Sequence, residues 1–147
     1  MLIAHVEPPN QPHRASETHV YRTEYVCQAL GALPDVHIAS GSHLTPSMHT
    51  LMQCADVLVL CQTAEYDFLP VLAHRKSQGL PTLFEINDNI LAEQPWNDRC
   101  AVNLSESERS IIYQQASLSS MLILSSPMLS PVVGYLNKRS VVIPSQV

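Results

Sequence analysis

Six short apolar runs alternate with helix-type segments along the whole chain, and this alternation constrains the fold more than any other feature. Each run has the length of a strand and is bounded by polar or turn-forming residues. The strands are predicted at Leu2–Val6, Val36–Ala39, Val57–Cys61, Thr82–Ile86, Met121–Leu124 and Val141–Ile143. Strands that alternate with helices predict a three-layer, doubly wound α/β fold, with a mostly parallel sheet of about six strands.

The segments between these runs carry signals for helix ends. Thr45-Pro46 is an N-cap followed by proline at the first helical position. Ser105 and Glu108 have the spacing of a capping box, in which each side chain bonds the backbone of the other. Asp67 is a candidate cap for a helix that stops at Gly79. These signals place a helix in each of the corresponding gaps between strands.

The composition limits the classes of protein to which the chain could belong. One chain of 147 residues, 46% of them hydrophobic, predicts a single globular domain over residues 1–147. A net charge of −5 argues against a nucleic-acid partner, which would require a basic face. The four cysteines have neither metal-ligand nor redox spacing, which suits a reducing compartment. No apolar run has the length of a signal peptide or a membrane span, so the prediction is a cytoplasmic protein.

The two longest loops predict where a ligand binds. They are Glu7–Ser16, after the first strand, and Asn87–Asn103, after the fourth. If the strand order is 3-2-1-4-5-6, these two strands are neighbours where the winding of the sheet reverses, and ligands bind there outside the carboxyl ends of the strands. None of the four glycines follows the first strand, so neither a dinucleotide site nor a P-loop is predicted.

The stretch Thr82–Asn89, TLFEINDN, supplies the strongest candidate residues. The apolar strand ends in Asn87 and Asp88, which would stand at the rim of the sheet. Asp88 is either a group of a functional site or a turn residue, because Asn-Asp-Asn is also turn chemistry. Glu85 lies inside the strand, where a carboxylate must be paired, be at an edge of the sheet, or belong to a site.

Three further residues have two interpretations each. His13 and Arg14, on the first long loop, are either a solvated pair or a site for an anion or a sugar. Trp96, the only tryptophan, is either a core anchor or a platform that stacks on a sugar ring. His13 and His19, and likewise His43 and His49, are six residues apart and do not share one helix face, so no metal site is predicted.

Four segments resemble the N-terminal half of the glycosyltransferases that have the GT-B fold. They read ADVLVLCQ, GLPTLFEINDNIL, ASLSSMLILSSPML and YLNKRSVVIPSQV, in that order. The resemblance is clearest over Ala55–Pro144, and its specificity comes from the order and spacing of the segments. The segment Arg14–Arg22, RASETHVYR, also looks like the opening helix of such enzymes.

The resemblance implies a Rossmann-like N-terminal domain that binds a sugar or glycan acceptor. A C-terminal domain would bind the nucleotide-activated sugar, with the transfer reaction in the cleft between the two. No cofactor is therefore expected for this chain itself. Asp88 would be the catalytic residue. The residues that would bind the substrate are His13, Arg14, Glu85, Asn87 and Trp96.

The sequence departs from the family pattern in ways that open an alternative. Asn87 stands where the family has Asp or His, and Ser145-Gln146 replaces the usual Asn-Gly. The donor-binding domain is absent from the 147 residues, so the chain is expected to be inactive alone. The alternative is a non-catalytic Rossmann-like module for interaction or regulation. Two partners stay open: a membrane surface contacted peripherally, and a second copy bound through the exposed interdomain face.

Overall fold

The structure is a computed structural model that describes residues 1–7, 20–42, 44–61, 64–89 and 104–144. His13, Arg14 and Trp96 lie outside the described residues, as does most of the predicted loop Asn87–Asn103. No helix within the described ranges is long and apolar enough to cross a membrane.

The described chain contains one six-stranded sheet in which every paired neighbour is parallel. The strands are β1 Leu2–Glu7, β2 His37–Ser42, β3 Val57–Cys61, β4 Thr82–Ile86, β5 Met121–Leu124 and β6 Ser140–Val142. Three of these, β3, β4 and β5, have the bounds that the sequence predicts. The predicted α/β fold with a parallel sheet is confirmed.

Helices connect consecutive strands. A π-helical turn, Val20–Glu24, leads into α1 Tyr25–Gly31, and the next three helices are α2 Pro46–Cys54, α3 Phe68–Ser77 and α4 Glu106–Leu118. The last crossover contains α5 Ser130–Val133 between two 3-10 turns, Pro127–Leu129 and Gly134–Leu136.

The helix ends follow the local sequence in most cases. Thr45 caps α2 by accepting a hydrogen bond from the backbone N–H of Met48, and the capping box of Ser105 and Glu108 opens α4. Gly79 follows α3 with a positive φ of 68°, a conformation that favours glycine. Asp67, predicted to cap α3, makes no capping hydrogen bond with its side chain.

The strand order is β2-β1-β3-β4-β5-β6, and the predicted order 3-2-1-4-5-6 is wrong. β1 lies between β2 and β3, so β1 and β4 are not neighbours. The reason is that β1, β3 and β4 are all apolar runs whose local sequence does not specify which strand each one pairs with. The winding of the sheet therefore reverses between β1 and β3, and the ligand crevice of such a sheet lies at their carboxyl ends.

The two faces of the sheet differ in what covers them. One face packs on α2 to α5 and forms the main apolar core, which includes Ala4, Leu58, Leu60, Phe84 and Leu122. The alternate residues of the same strands face α1 and its π-helical turn. This alternation yields three layers and places Glu85 on the α1 face, because Phe84 and Ile86 on either side of it belong to the core.

A buried cation stabilises the amino ends of β3 and β4. Arg75 of α3 is fully buried, and it donates hydrogen bonds to the carbonyls of Met52 (3.1 Å), Ala55 (2.9 Å) and Pro81 (2.8 Å) and to Oγ1 of Thr82 (3.1 Å). Burial lowers the pKa of its guanidinium. The side chain therefore joins the end of α2 to the start of β4.

Candidate functional site

Glu85 is at the centre of a set of buried polar side chains on the face of the sheet that α1 covers. In the register of the sheet, Cys61 of β3 and Ile123 of β5 lie directly beside it. The Glu85 residue is only 5% exposed, although its neighbours Phe84 and Ile86 along β4 are buried and apolar. Of the three alternatives for this carboxylate, that it is paired, at an edge of the sheet or part of a site, the contacts that follow show that it is paired.

Arg22 of the π-helical turn forms an ion pair with Glu85. Its Nε donates to Oε1 of Glu85, and both side chains are largely buried. Its Nη1 and Nη2 atoms lie 3.5 and 3.4 Å from the carbonyl oxygen of Ile143. Through these contacts Arg22 connects the π-helical turn to β4 and to Ile143, which follows β6. Charges with so little access to water persist in a fold only when they are paired in this way.

Cys61 and His5 complete the group around the carboxylate. The thiol of Cys61 donates to Oε2 of Glu85 at 3.3 Å, and its Sγ lies 3.5 Å from Nε2 of His5. Burial, and then the charge of Glu85, raise the pKa of the Cys61 thiol well above its ordinary value. The thiol is therefore protonated near neutral pH and is a poor nucleophile. We call His5, Arg22, Cys61 and Glu85 the polar cluster.

A second carboxylate lies close to the polar cluster, at the end of β1. Glu7 is buried and accepts a hydrogen bond from Oγ of Ser40 at 3.0 Å. Burial and the charge of Glu7 raise the pKa of Cys27 on α1. Glu7 therefore adds negative potential near Cys61, at the carboxyl ends of β1 and β3.

A cavity of about 680 Å³ extends from the polar cluster between α1 and the sheet. His5, Arg22 and Glu85 supply its charged and polar wall. The rest is mainly apolar side chains, among them Ile3, Val26, Leu30, Val59, Leu83 and Ile123. A cavity that is mainly apolar, with a few convergent polar groups, is the usual form of a small-molecule site.

Asn87 and Asp88 follow β4 at the same end of the sheet. The main-chain carbonyl of Asn87 accepts a hydrogen bond from Oγ of Ser125 at 2.6 Å, which joins the loops after β4 and β5. Asp88 is exposed. Neither side chain lines the cavity, so the structure brings Glu85 into the polar cluster and leaves Asp88 on the rim outside it.

Sequence reasoning did not identify His5 and Cys61 as site residues. Cys61 has the character of a small hydrophobe at the end of the apolar strand β3. His5 is a single polar residue within β1, which is otherwise apolar up to Val6. Their signal appears only when the register is known, because it aligns Cys61 with Glu85. Their ligand atoms, together with a carboxylate oxygen of Glu85, all lie within 4.8 Å of one another.

Comparisons with protein families, with curated proteins and with solved structures find no match to this chain.

Proposed function

We propose that this chain is the acceptor-binding domain of a glycosyltransferase of the GT-B type. The observation that carries the proposal is the position of Asn87 and Asp88 directly after the carboxyl end of β4, the strand that the ion pair of Arg22 and Glu85 holds in place. Ligands of such sheets bind at that edge, near the point where the winding reverses. The order of the four sequence segments that resemble the family supports the same assignment.

Asp88 has the chemistry that an acceptor site requires. Its carboxylate is exposed at the rim, where it can accept a hydrogen bond from a sugar hydroxyl. In the transfer step, Asp88 accepts the proton of that hydroxyl while the oxygen bonds to the anomeric carbon of the donor. The bond from the anomeric carbon to the nucleoside diphosphate breaks, and the diphosphate leaves with the electron pair. A second domain would bind the nucleotide sugar.

The other residues have supporting roles in this proposal. The amide of Asn87 would orient a second hydroxyl of the acceptor, since it can both donate and accept hydrogen bonds. The ion pair of Arg22 and Glu85 fixes the end of β4, from which Asn87 and Asp88 follow. His13, Arg14 and Trp96 remain predicted substrate contacts that rest on the sequence alone.

The proposal is tested by the affinity of the 147-residue chain for glycans. Short oligosaccharides of glucose, galactose, mannose and N-acetylglucosamine are screened on an array, and the strongest binder is then measured by calorimetry. We expect Asp88→Asn to weaken binding at least about tenfold, because a hydrogen bond to a charged group contributes about 1.5–3 kcal/mol. Asp35→Asn removes the same charge from an exposed residue at the opposite end of the sheet and should leave the affinity unchanged.

Absence of binding to every glycan, or equal affinities for the wild type and Asp88→Asn, would contradict the proposal. The mainly apolar lining of the cavity favours one alternative, a non-catalytic module that binds a second copy of the chain through the α1 face. Sedimentation equilibrium distinguishes the two, because the alternative predicts a dimer that Leu83→Glu dissociates. A monomer that binds glycans supports the acceptor domain.

A further inference from the structure

Three side chains of the polar cluster bring three different ligand atoms within 4.8 Å of one another. They are Nε2 of His5, Sγ of Cys61 and an oxygen of Glu85, and all three residues are buried. We propose that they form a binding site for a divalent transition-metal ion of the zinc class. The inference concerns the polar cluster alone and does not depend on glycosyltransferase activity.

The two distances from Sγ of Cys61 to the other ligand atoms fit a tetrahedral ion. Bonds of about 2.3 Å to sulfur, and about 2.0–2.2 Å to nitrogen and oxygen, place a sulfur ligand about 3.5–3.6 Å from a nitrogen or oxygen ligand of a tetrahedral ion. Sγ of Cys61 lies 3.5 Å from Nε2 of His5 and 3.3 Å from Oε2 of Glu85. An ion could therefore enter with shifts of only a few tenths of an ångström in these two contacts.

The charges around the site also balance when an ion is bound. The thiol of Cys61 loses its proton to solvent, and the resulting thiolate and the carboxylate of Glu85 together neutralise the two charges of the ion. Arg22 and Glu7 contribute one further charge of each sign. Because Arg22 pairs with Oε1 of Glu85, it orients the carboxylate with Oε2 toward Cys61. Outer contacts of this kind are typical of metal-ligating side chains.

The types of ligand select the class of ion. Thiolate and imidazole favour zinc, cobalt or iron over magnesium and calcium, which prefer oxygen ligands only. With three protein ligands, a tetrahedral ion retains one open position. The cavity of about 680 Å³ is lined by His5 and Glu85, so it provides both an entry path and room for a fourth ligand. No local motif in the sequence indicates this set of ligands, because Cys61 is 56 residues from His5 and 24 from Glu85.

Titration with Co²⁺ under reducing conditions tests the site. The protein is the 147-residue chain with Cys27, Cys54 and Cys100 replaced by serine, which leaves Cys61 as its only thiol. We expect saturation at one equivalent, with a thiolate-to-cobalt charge-transfer band and the intense visible absorption of tetrahedral cobalt. Zn²⁺ should abolish both signals, and one proton should be released for each ion bound.

Matched variants identify the ligands. Cys61→Ser in the same background should lose the charge-transfer band, and His5→Gln should weaken binding at least about a hundredfold, since even outer-shell changes cost up to that much. His74→Ala is the control, because His49 and His74 are exposed and line a separate cavity that could hold an ion adventitiously.

A charge-transfer band that is absent at one equivalent of Co²⁺ overturns the proposal, whatever the folding of the variants. Weak binding that His74→Ala abolishes would likewise show that only the separate, exposed cavity takes the ion. Circular dichroism of each variant confirms that a lost signal reflects a lost ligand.

Discussion

Replacement of Arg22 by methionine leaves the carboxylate of Glu85 buried without its cationic partner. The ion pair is largely hidden from water, and Glu85 then keeps only the hydrogen bond from the thiol of Cys61 among its described polar contacts. Methionine retains most of the apolar stem of arginine, so the change removes charge and hydrogen bonds more than packing.

The expected cost follows from the burial of this pair. Removal of one partner from a buried ion pair costs about 3–5 kcal/mol, because the remaining charge is uncompensated. Replacement of both partners by apolar side chains is often neutral or stabilising. We therefore expect Arg22→Met to lower the free energy of unfolding by about 3–5 kcal/mol, and Arg22→Met/Glu85→Leu to remain within about 1 kcal/mol of the wild type.

Urea denaturation followed by far-ultraviolet circular dichroism measures these differences, because single domains of this size usually unfold in one transition. Arg139→Met is the matched control, since Arg139 is exposed and its loss should cost less than about 0.5 kcal/mol. A single variant within 1 kcal/mol of the wild type, or a double variant as unstable as the single one, would refute the reasoning. If Arg22→Met fails to fold, recovery of folding in the double variant gives the same answer.

Three further predictions test other parts of the molecule. Arg75→Met should lower the free energy of unfolding in urea by about 3–5 kcal/mol, because it leaves several buried carbonyls without a donor; a loss below 1 kcal/mol would contradict this. Hydrogen bonds from Ser105 lower the pKa of Glu108, so the stability that this carboxylate contributes is present above about pH 4.3 and is lost as the pH falls through its lowered pKa. Ser105→Ala should therefore destabilise the protein more at pH 7 than at pH 3 in thermal melts, whereas equal losses would exclude the contribution. The raised pKa and burial of Cys61 predict that iodoacetamide alkylates it much more slowly at pH 8 than exposed Cys54, and mass spectrometry that finds equal rates would refute this.

The interior strands were predictable because their boundaries are local. Val57–Cys61 is apolar throughout, and Pro81 and the polar residues after Ile86 delimit β4. The edge strand β2 was harder to delimit, since the turn chemistry of Ser40-Gly41-Ser42 ends the predicted strand at Ala39. In the structure it continues the strand, with Glu7 opposite Ser42, because pairing with β1 outweighs the local propensity.

The polar cluster could be predicted only in part. A carboxylate inside a buried strand requires a partner, so Glu85 was recognisable from the sequence alone. Its partners were not, because Arg22, Cys61 and His5 reach it through a strand order and register that no local pattern encodes. The error in strand order had the same origin. Once β3 rather than β4 lies beside β1, the end of β3 becomes part of the site.

The central claim is that the carboxyl ends of the strands bind a glycan. Its most direct test is a two-dimensional NMR titration of the isotopically labelled 147-residue chain with the oligosaccharide that binds most strongly on the array. We expect the amide shifts to concentrate at Glu7, Asn87 and Asp88, and the signals of Leu2 and Val57 at the amino ends to stay unchanged. Shifts confined to the amino ends, or a spectrum that no oligosaccharide alters, would contradict it.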